Sequence, residues 1–100
     1  MEQSKYKTFK DLVFKPWCEA RGIVIPGRED DTQAMMEFPN GYAVSVLHGE
    51  SFYSDYNTYE VAIMKDGEVV YPKGICRYRN VFGFQTARQV TEIMRKVQEL

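Results

Sequence analysis

Few side chains in this sequence could perform catalysis, and their spacing fits no common catalytic site. His48 is the only histidine, so a nucleophilic triad would have to pair it with Ser45 or Ser51. Ser45 lies in an alternating segment that predicts a strand, and no nucleophile elbow surrounds Ser51. Glu60 and Lys65 are an odd number of residues apart, so a strand places them on opposite faces, which argues against a nuclease site. We therefore expect a protein that is not an enzyme.

Metal and cofactor sites also lack their usual ligand spacing. Cys18 and Cys76 are the only cysteines, and no CxxC or HxxxH pair is present. Glu29, Asp30 and Asp31 lack the alternating ligands and central glycine of an EF-hand loop, so we expect residues 28–31 to form a solvated charged segment. We expect no metal and no cofactor. Without an export signal, the two cysteines are expected to be reduced thiols.

Aromatic residues are concentrated in the middle of the chain. Four tyrosines and one phenylalanine crowd into a short stretch: Tyr42, Phe52, Tyr53, Tyr56 and Tyr59. Tyrosine joins an apolar ring to a polar tip with few torsions to fix, which explains its enrichment at binding surfaces. The same rings could instead pack on the faces of a sheet, and the sequence leaves both alternatives open. As a surface, they predict a protein partner.

A second candidate surface is the run Arg77, Tyr78 and Arg79, which places an aromatic ring between two cations. Such a run can stack a base and clamp phosphates. The 13 basic and 14 acidic residues nearly cancel, however, so no large positive field attracts a phosphate backbone. A nucleic-acid-binding regulator is therefore the alternative function, and the net charge argues against it.

Length and composition predict one soluble domain comprising residues 1–100. The apolar content of 44% and the charged content of 27% are typical of globular proteins, and a chain of this length builds one core. The longest apolar run is far too short to span a membrane, and the first residues carry charge instead of a signal peptide. We expect a cytoplasmic protein.

The clearest predicted element is a C-terminal helix from about Ala87 to Glu99. Thr86 and Gln89 have the spacing of a capping box. Apolar residues recur at helical spacing from there to the end of the chain: Val90, Ile93, Met94, Val97 and Leu100.

Two β-hairpins are predicted before that helix. Residues 34–47 and residues 59–71 each alternate between apolar and other side chains on both sides of a turn. The turns are Asn40–Gly41 and Asp66–Gly67, pairs that suit the positive φ angles of a two-residue hairpin turn.

The N-terminal third is open to two interpretations. Thr8 and Asp11 could cap a helix that ends near Arg21, but Pro16 would interrupt it. We favour instead a short edge strand over 12–15, with a second short strand at 23–25. The predicted fold is thus α+β: a small antiparallel sheet of four or five strands in meander order, with the C-terminal helix on one face.

Several segments resemble a group of small uncharacterised proteins encoded by bacteriophages and prophages. The resemblance centres on the hairpin motif FxNGYxxSV and extends over most of the chain: Phe9–Pro16, Phe38–Val46, Tyr59–Ala62 and Asp66–Gly67. Ala43 stands where members usually carry glycine, and residues 28–31 look like an insertion. The resemblance implies a phage origin and supplies no catalytic residues.

The expected function is therefore a non-enzymatic phage accessory protein that binds a host protein and inhibits a host or anti-phage defence factor. Besides the nucleic-acid-binding regulator, the alternative is a minor virion or assembly component. An unpaired sheet edge could also make the chain a homodimer.

Overall fold

One antiparallel sheet of six strands dominates the computed structural model, which describes residues 6–100 except the side chain of Ala20. The strands are β1 (Lys15–Pro16), β2 (Thr32–Glu37), β3 (Tyr42–His48), β4 (Tyr59–Lys65), β5 (Glu68–Val70) and β6 (Phe82–Gln85). The first five form a meander, and β6 pairs with the same edge of β4 as β5 does. This confirms the predicted α+β meander and adds β6, which was not predicted.

The helix α2 (Ala87–Gln98) covers one face of the sheet, as predicted. Thr86 and Gln89 form the expected capping box at its start. Its apolar stripe packs into a core that includes strands β2, β3 and β4: Val90, Ile93, Met94 and Val97 against Ala34, Val44, Val46, Val61 and Ile63. Leu100, predicted to continue the stripe, is instead 45% exposed beyond the end of the helix.

Both hairpins are present, but their turns differ. Asp66 and Gly67 have φ angles of 54° and 79°, as the predicted two-residue turn requires. At the first hairpin only Gly41 has a positive φ, because the Phe38 amide bonds to the Tyr42 carbonyl and leaves a three-residue loop. The predicted hairpin is confirmed there, and the predicted two-residue turn is wrong.

The N-terminal third combines short pieces of both predicted interpretations. A 3-10 turn (Phe9–Asp11) follows the Thr8 cap, β1 pairs with the start of β2, and α1 (Trp17–Ala20) begins directly after β1. The predicted strand over 12–15 is wrong except at Lys15. The predicted strand over 23–25 is also wrong, since this segment forms no ladder and leaves Val24 87% exposed.

The sheet face opposite α2, which we call the open face, is unusually apolar. Its central side chains come from β2 to β5: Met35, Ala43, Ser45, Leu47, Ala62, Met64 and Val69. Strands β3 and β4 therefore carry apolar residues on both faces instead of the alternation expected of a sheet with one wet face. No helix within residues 6–100 is long and apolar enough to cross a membrane.

Candidate functional site

Residues 49–58 join β3 to β4 and form a hydrogen-bonded loop, which we call the tyrosine loop. The Ser54 hydroxyl accepts from the Gly49 amide at 3.1 Å and donates to the Gly49 carbonyl at 2.8 Å. The Asp55 amide donates to the Thr58 hydroxyl at 2.7 Å. These bonds fix the shape of the loop from within, so the loop does not depend on a ligand for its conformation.

Tyr53 attaches the loop to the open-face side of β4 and β6. Its amide donates to Glu60 Oε1 at 3.0 Å, and its carbonyl accepts from the Phe84 amide at 2.8 Å. A Cβ on Gly83 would lie only 2.9 Å from the Tyr53 Cβ, so glycine is what allows the loop to approach β6 this closely.

The two central tyrosines of this loop point into solvent. The Tyr56 side chain is 96% exposed and that of Tyr53 is 63% exposed. The Tyr53 ring meets the half-exposed ring of Phe84 edge-on, with 6.4 Å between centroids. A loop held by its own hydrogen bonds thus presents a set of aromatic rings to water.

The other predicted binding residues have structural roles. Tyr42 and Tyr59 lie on the helix-facing side and pack against the core. The Tyr59 ring is 4.9 Å from that of Phe9 and 5.5 Å from that of Phe14. Phe52 is half-buried. Of the five aromatic residues singled out from the sequence, the structure exposes Tyr53 and Tyr56 and buries much of the other three.

Beside Phe52 lies a cluster that the sequence analysis missed. The Trp17 ring is sandwiched between two guanidinium groups, with 3.9 Å to the Arg21 Cζ and 3.8 Å to the Arg28 Cζ. The Phe52 ring is 6.3 Å from that of Trp17. Only the spacing of four residues between Trp17 and Arg21 hints at a contact in the sequence, because Arg28 and Phe52 arrive from separate loops.

Arg28 and Asp31 connect this cluster to the tyrosine loop. Asp31 is 3% exposed and accepts from Arg28 Nε at 2.7 Å, so the prediction that residues 28–31 form a solvated segment is wrong for this pair. A Cβ on Gly49 would lie 2.0 Å from Asp31 Oδ1. Because the Asp31 carboxylate is this close to the backbone of residue 49, only glycine fits at that position.

A cavity of about 490 Å³ opens between residues 27–31 and the tyrosine loop. Most of its charged lining is acidic: Asp30, Asp31, Glu50 and Asp55, together with His48. Among residues 6–100, no group of three or more His, Cys, Asp or Glu side chains could hold a metal ion. The cavity therefore places a group of negatively charged side chains beside Tyr56.

Residues 71–81, which join β5 to β6, form a second exposed segment that we call the basic loop. Arg77, Tyr78 and Arg79 are all exposed, Tyr78 to 72%. The Arg77 Cζ is 5.9 Å from the Tyr78 ring, and the Arg79 Cζ is 5.6 Å from the Tyr71 ring. The structure therefore presents the predicted run on one surface.

Comparison of the chain with protein-family models, with curated proteins and with solved structures found no match. The resemblance to phage proteins stays a prediction.

The structure does not bring the candidate nucleophile Ser45 to His48. Ser45 is on the open face, 5% exposed, and accepts from Gln33 Nε2 at 2.9 Å. The His48 ring lies on the other side, 5.0 Å from the Tyr59 ring. Cys18 and Cys76 are free thiols, and burial raises the pKa of the Cys76 thiol, which disfavours the reactive thiolate there.

Proposed function

We propose that this chain is a non-enzymatic phage accessory protein that binds a host protein through Tyr53 and Tyr56. The observation that supports it best is that both rings are exposed, to 63% and 96%, on a loop fixed by its own hydrogen bonds. A preorganised loop loses little entropy on binding, and tyrosine is among the residues most enriched at binding hot spots. The phage origin, and inhibition of a host or defence factor as the outcome, rest on the FxNGYxxSV resemblance alone.

The charge beside Tyr56 indicates what kind of partner surface fits. Asp30, Glu50 and Asp55 line the adjoining cavity, so the rim of the site is negative. We expect a partner that offers an apolar pocket for a ring with lysine or arginine at its edge. Such rim charges act mainly on the association rate, which should fall as salt is raised.

The experiment is capture of host proteins on the immobilised chain, followed by titration calorimetry with the purified captured protein. Tyr53→Ala with Tyr56→Ala should weaken binding by about 100-fold or more, since each hot-spot tyrosine contributes about 2 kcal/mol or more. Tyr78→Ala is the matched control, because that ring is equally exposed on a different loop. Binding that is unchanged by the double substitution, at unchanged thermal stability, would refute the role of the loop.

The second candidate function is nucleic-acid binding through the basic loop. It is supported by the exposure of Arg77, Tyr78 and Arg79 side by side. Fluorescence anisotropy with single-stranded DNA and RNA tests it: the affinity should fall steeply with salt, and Arg77→Ala with Arg79→Ala should flatten that slope by about one to two. Arg88→Ala, an exposed arginine on α2, is the control. No binding at low salt would exclude this function.

A further inference from the structure

The open face is arranged in three rows that run across the strands. The pairing register gives the members of each row. The first row, at the hairpin turns, holds Glu37, Ala43, Met64 and Val69; the middle row holds Met35, Ser45 and Ala62; the third row holds Gln33, Leu47 and Glu60. Ala43, Ser45 and Ala62 form a floor of small side chains that are 7%, 5% and 8% exposed, so the larger side chains around them supply the apolar surface that faces water, chiefly Met35 at 52% and Val69 at 41%.

Charges of opposite sign lie at the two ends of this face on the β1–β2 side. Glu37 is exposed in the row at the turns. At the other end Lys15 pairs with Gln33 across β1 and β2 and is also exposed. Arg21 lies at that end too, since its Nη1 donates to Gln33 Oε1 at 3.2 Å. On this side the face is therefore negative at one end and positive at the other, while Glu60 adds a carboxylate to the third row on β4.

The opposite side of the face carries exposed apolar groups at both ends. Val69 on β5 is 41% exposed and belongs to the row at the turns. Phe84 on β6 is 50% exposed and lies near Glu60, in the irregular stretch between the pairs Tyr59–Gln85 and Val61–Phe82. Val69 and Phe84 are thus placed at mirrored positions about the middle row.

We propose that the open face is covered by a second copy of this chain, related by a twofold axis that runs across the strands through Met35, Ser45 and Ala62. This rotation lays each strand on its own counterpart and exchanges the two outer rows. Glu37 of one copy then meets Lys15 and Arg21 of the other, which is the charge complementarity that an isologous interface requires.

The apolar groups match under the same rotation. Leu47 of one copy lies over the small Ala43 of the other, and Phe84 lies over Val69. Large side chains therefore meet small ones and aromatic meets aliphatic, as in the interdigitated core of two packed sheets. Glu60 lies opposite Met64, and its carboxylate is already engaged by the Tyr53 amide.

The size of the face sets the expected strength of this dimer. With strands about 4.8 Å apart and about 3.4 Å per residue, the face measures about 20 Å on each side. This is about 400 Å² per copy and about 800 Å² for the pair, which is below the range of stable specific interfaces and within that of weak, transient ones. We expect a weak, reversible dimer with a dissociation constant of roughly 100 µM.

A charge-reversal cycle tests the orientation, with sedimentation velocity as the measurement. Glu37→Lys alone and Lys15→Glu alone should each weaken the dimer by about tenfold, because each change breaks two symmetric contacts and introduces repulsion. The double variant should recover part of the loss, because the Glu37–Lys15 pair is restored with its signs exchanged while the unchanged Arg21 still repels the new lysine. A double variant no tighter than either single one overturns the proposed twofold.

A second pair of variants tests the face itself. Val69→Lys should abolish the dimer, whereas Leu100→Lys should leave it intact, because Leu100 is equally exposed at the end of α2 on the other side of the sheet. A chain that sediments as an 11.7 kDa monomer at all concentrations overturns the proposal and leaves the face to a different protein. A dimer insensitive to Val69→Lys overturns it in favour of edge pairing through β2. Tyr53 adjoins this interface through its contact with Phe84, whereas Tyr56 is not part of the open face. Tyr56→Ala alone therefore separates the two proposals, since it should weaken binding of the host protein and leave the dimer unchanged.

Discussion

The side-chain amide of Asn40 donates a hydrogen bond of 2.9 Å to the backbone carbonyl of Val97, which fastens the first hairpin turn to the last turn of α2. The same Nδ2 lies 3.3 Å from the Leu100 carbonyl, and Oδ1 accepts from the Tyr42 amide at 3.1 Å. Helix ends leave carbonyls without intrahelical partners. One side chain thus satisfies the helix end and shapes the turn.

Replacing Asn40 should therefore separate two elements that are distant in sequence. Asn40→Ala is expected to lower the free energy of unfolding by about 1–2 kcal/mol, because the Val97 carbonyl loses its side-chain donor and the Tyr42 amide loses its acceptor. Urea denaturation measures it. Asn57→Ala, at an exposed position of the tyrosine loop, should change stability by less than about 0.5 kcal/mol. Equal effects of the two substitutions would contradict a capping role.

The sequence predicts the elements whose signals are local. The apolar stripe from Val90 to Val97 is set by residues three or four positions apart, and the hairpin turn at Asp66–Gly67 is set by two adjacent residues. Both are present in the structure. Asn40 is recognisable from the sequence as a turn residue. The residues near it in the sequence do not indicate that its side-chain amide contacts α2. For the same reason the stack on Trp17 could not be predicted, because Arg28 is brought to it by tertiary packing.

β6 was missed because Phe82–Gln85 is short and contains Gly83, and because its pairing with β4 is interrupted by an irregularity. The candidate binding site was predicted in part. The sequence identified the tyrosines as candidates, but it did not show which rings face water. The pairing register of β3 and β4 places Tyr42 and Tyr59 on the sheet face that α2 covers. The loop between the strands carries Tyr53 and Tyr56 outward.

The contact of Gly49 with Asp31 predicts an intolerant position. Gly49→Ala should destabilise the fold by about 3 kcal/mol or more, because the new methyl group would overlap Asp31 Oδ1 and the φ of 151° is strained for any other residue. Gly74→Ala is the control, since it also has a positive φ but open space around the new atom, and should cost only about 1–2 kcal/mol. Equal losses would show that backbone strain alone sets the effect.

Two tyrosines of the predicted surface should behave oppositely in stability measurements. Tyr59→Ala should cost about 2–3 kcal/mol, because its half-buried ring packs against the core together with Phe9 and Phe14. Tyr56→Ala should cost less than about 0.5 kcal/mol, because that ring is 96% exposed. Thermal unfolding followed by circular dichroism distinguishes them. A large loss for Tyr56→Ala would mean that its ring is packed in solution.

Trp17 is the only tryptophan, so its fluorescence reports directly on the arginine stack. Arg28→Ala should shift the emission to longer wavelength, because one face of the ring becomes open to water. It should also destabilise the fold by about 3 kcal/mol, since the buried Asp31 loses its partner. Arg28→Lys should recover only part of both effects, because an ammonium group cannot stack as a plane. Arg88→Ala, on the exposed side of α2, should change neither.

The last turns of α2 should stabilise the fold in a pH-dependent way. The hydrogen bond from Arg95, with the charges of Arg95 and Lys96, lowers the pKa of Glu92. A folded-state pKa below the unfolded one gives stability that is present above the ordinary glutamate value of 4.5 and is lost as the pH falls through the folded-state pKa. Glu92→Gln should therefore lower the melting temperature slightly at about pH 7 and not at about pH 3. In an Arg95→Ala background the difference at neutral pH should shrink to the small contribution of Lys96, and a difference that persists undiminished would assign the effect to another group.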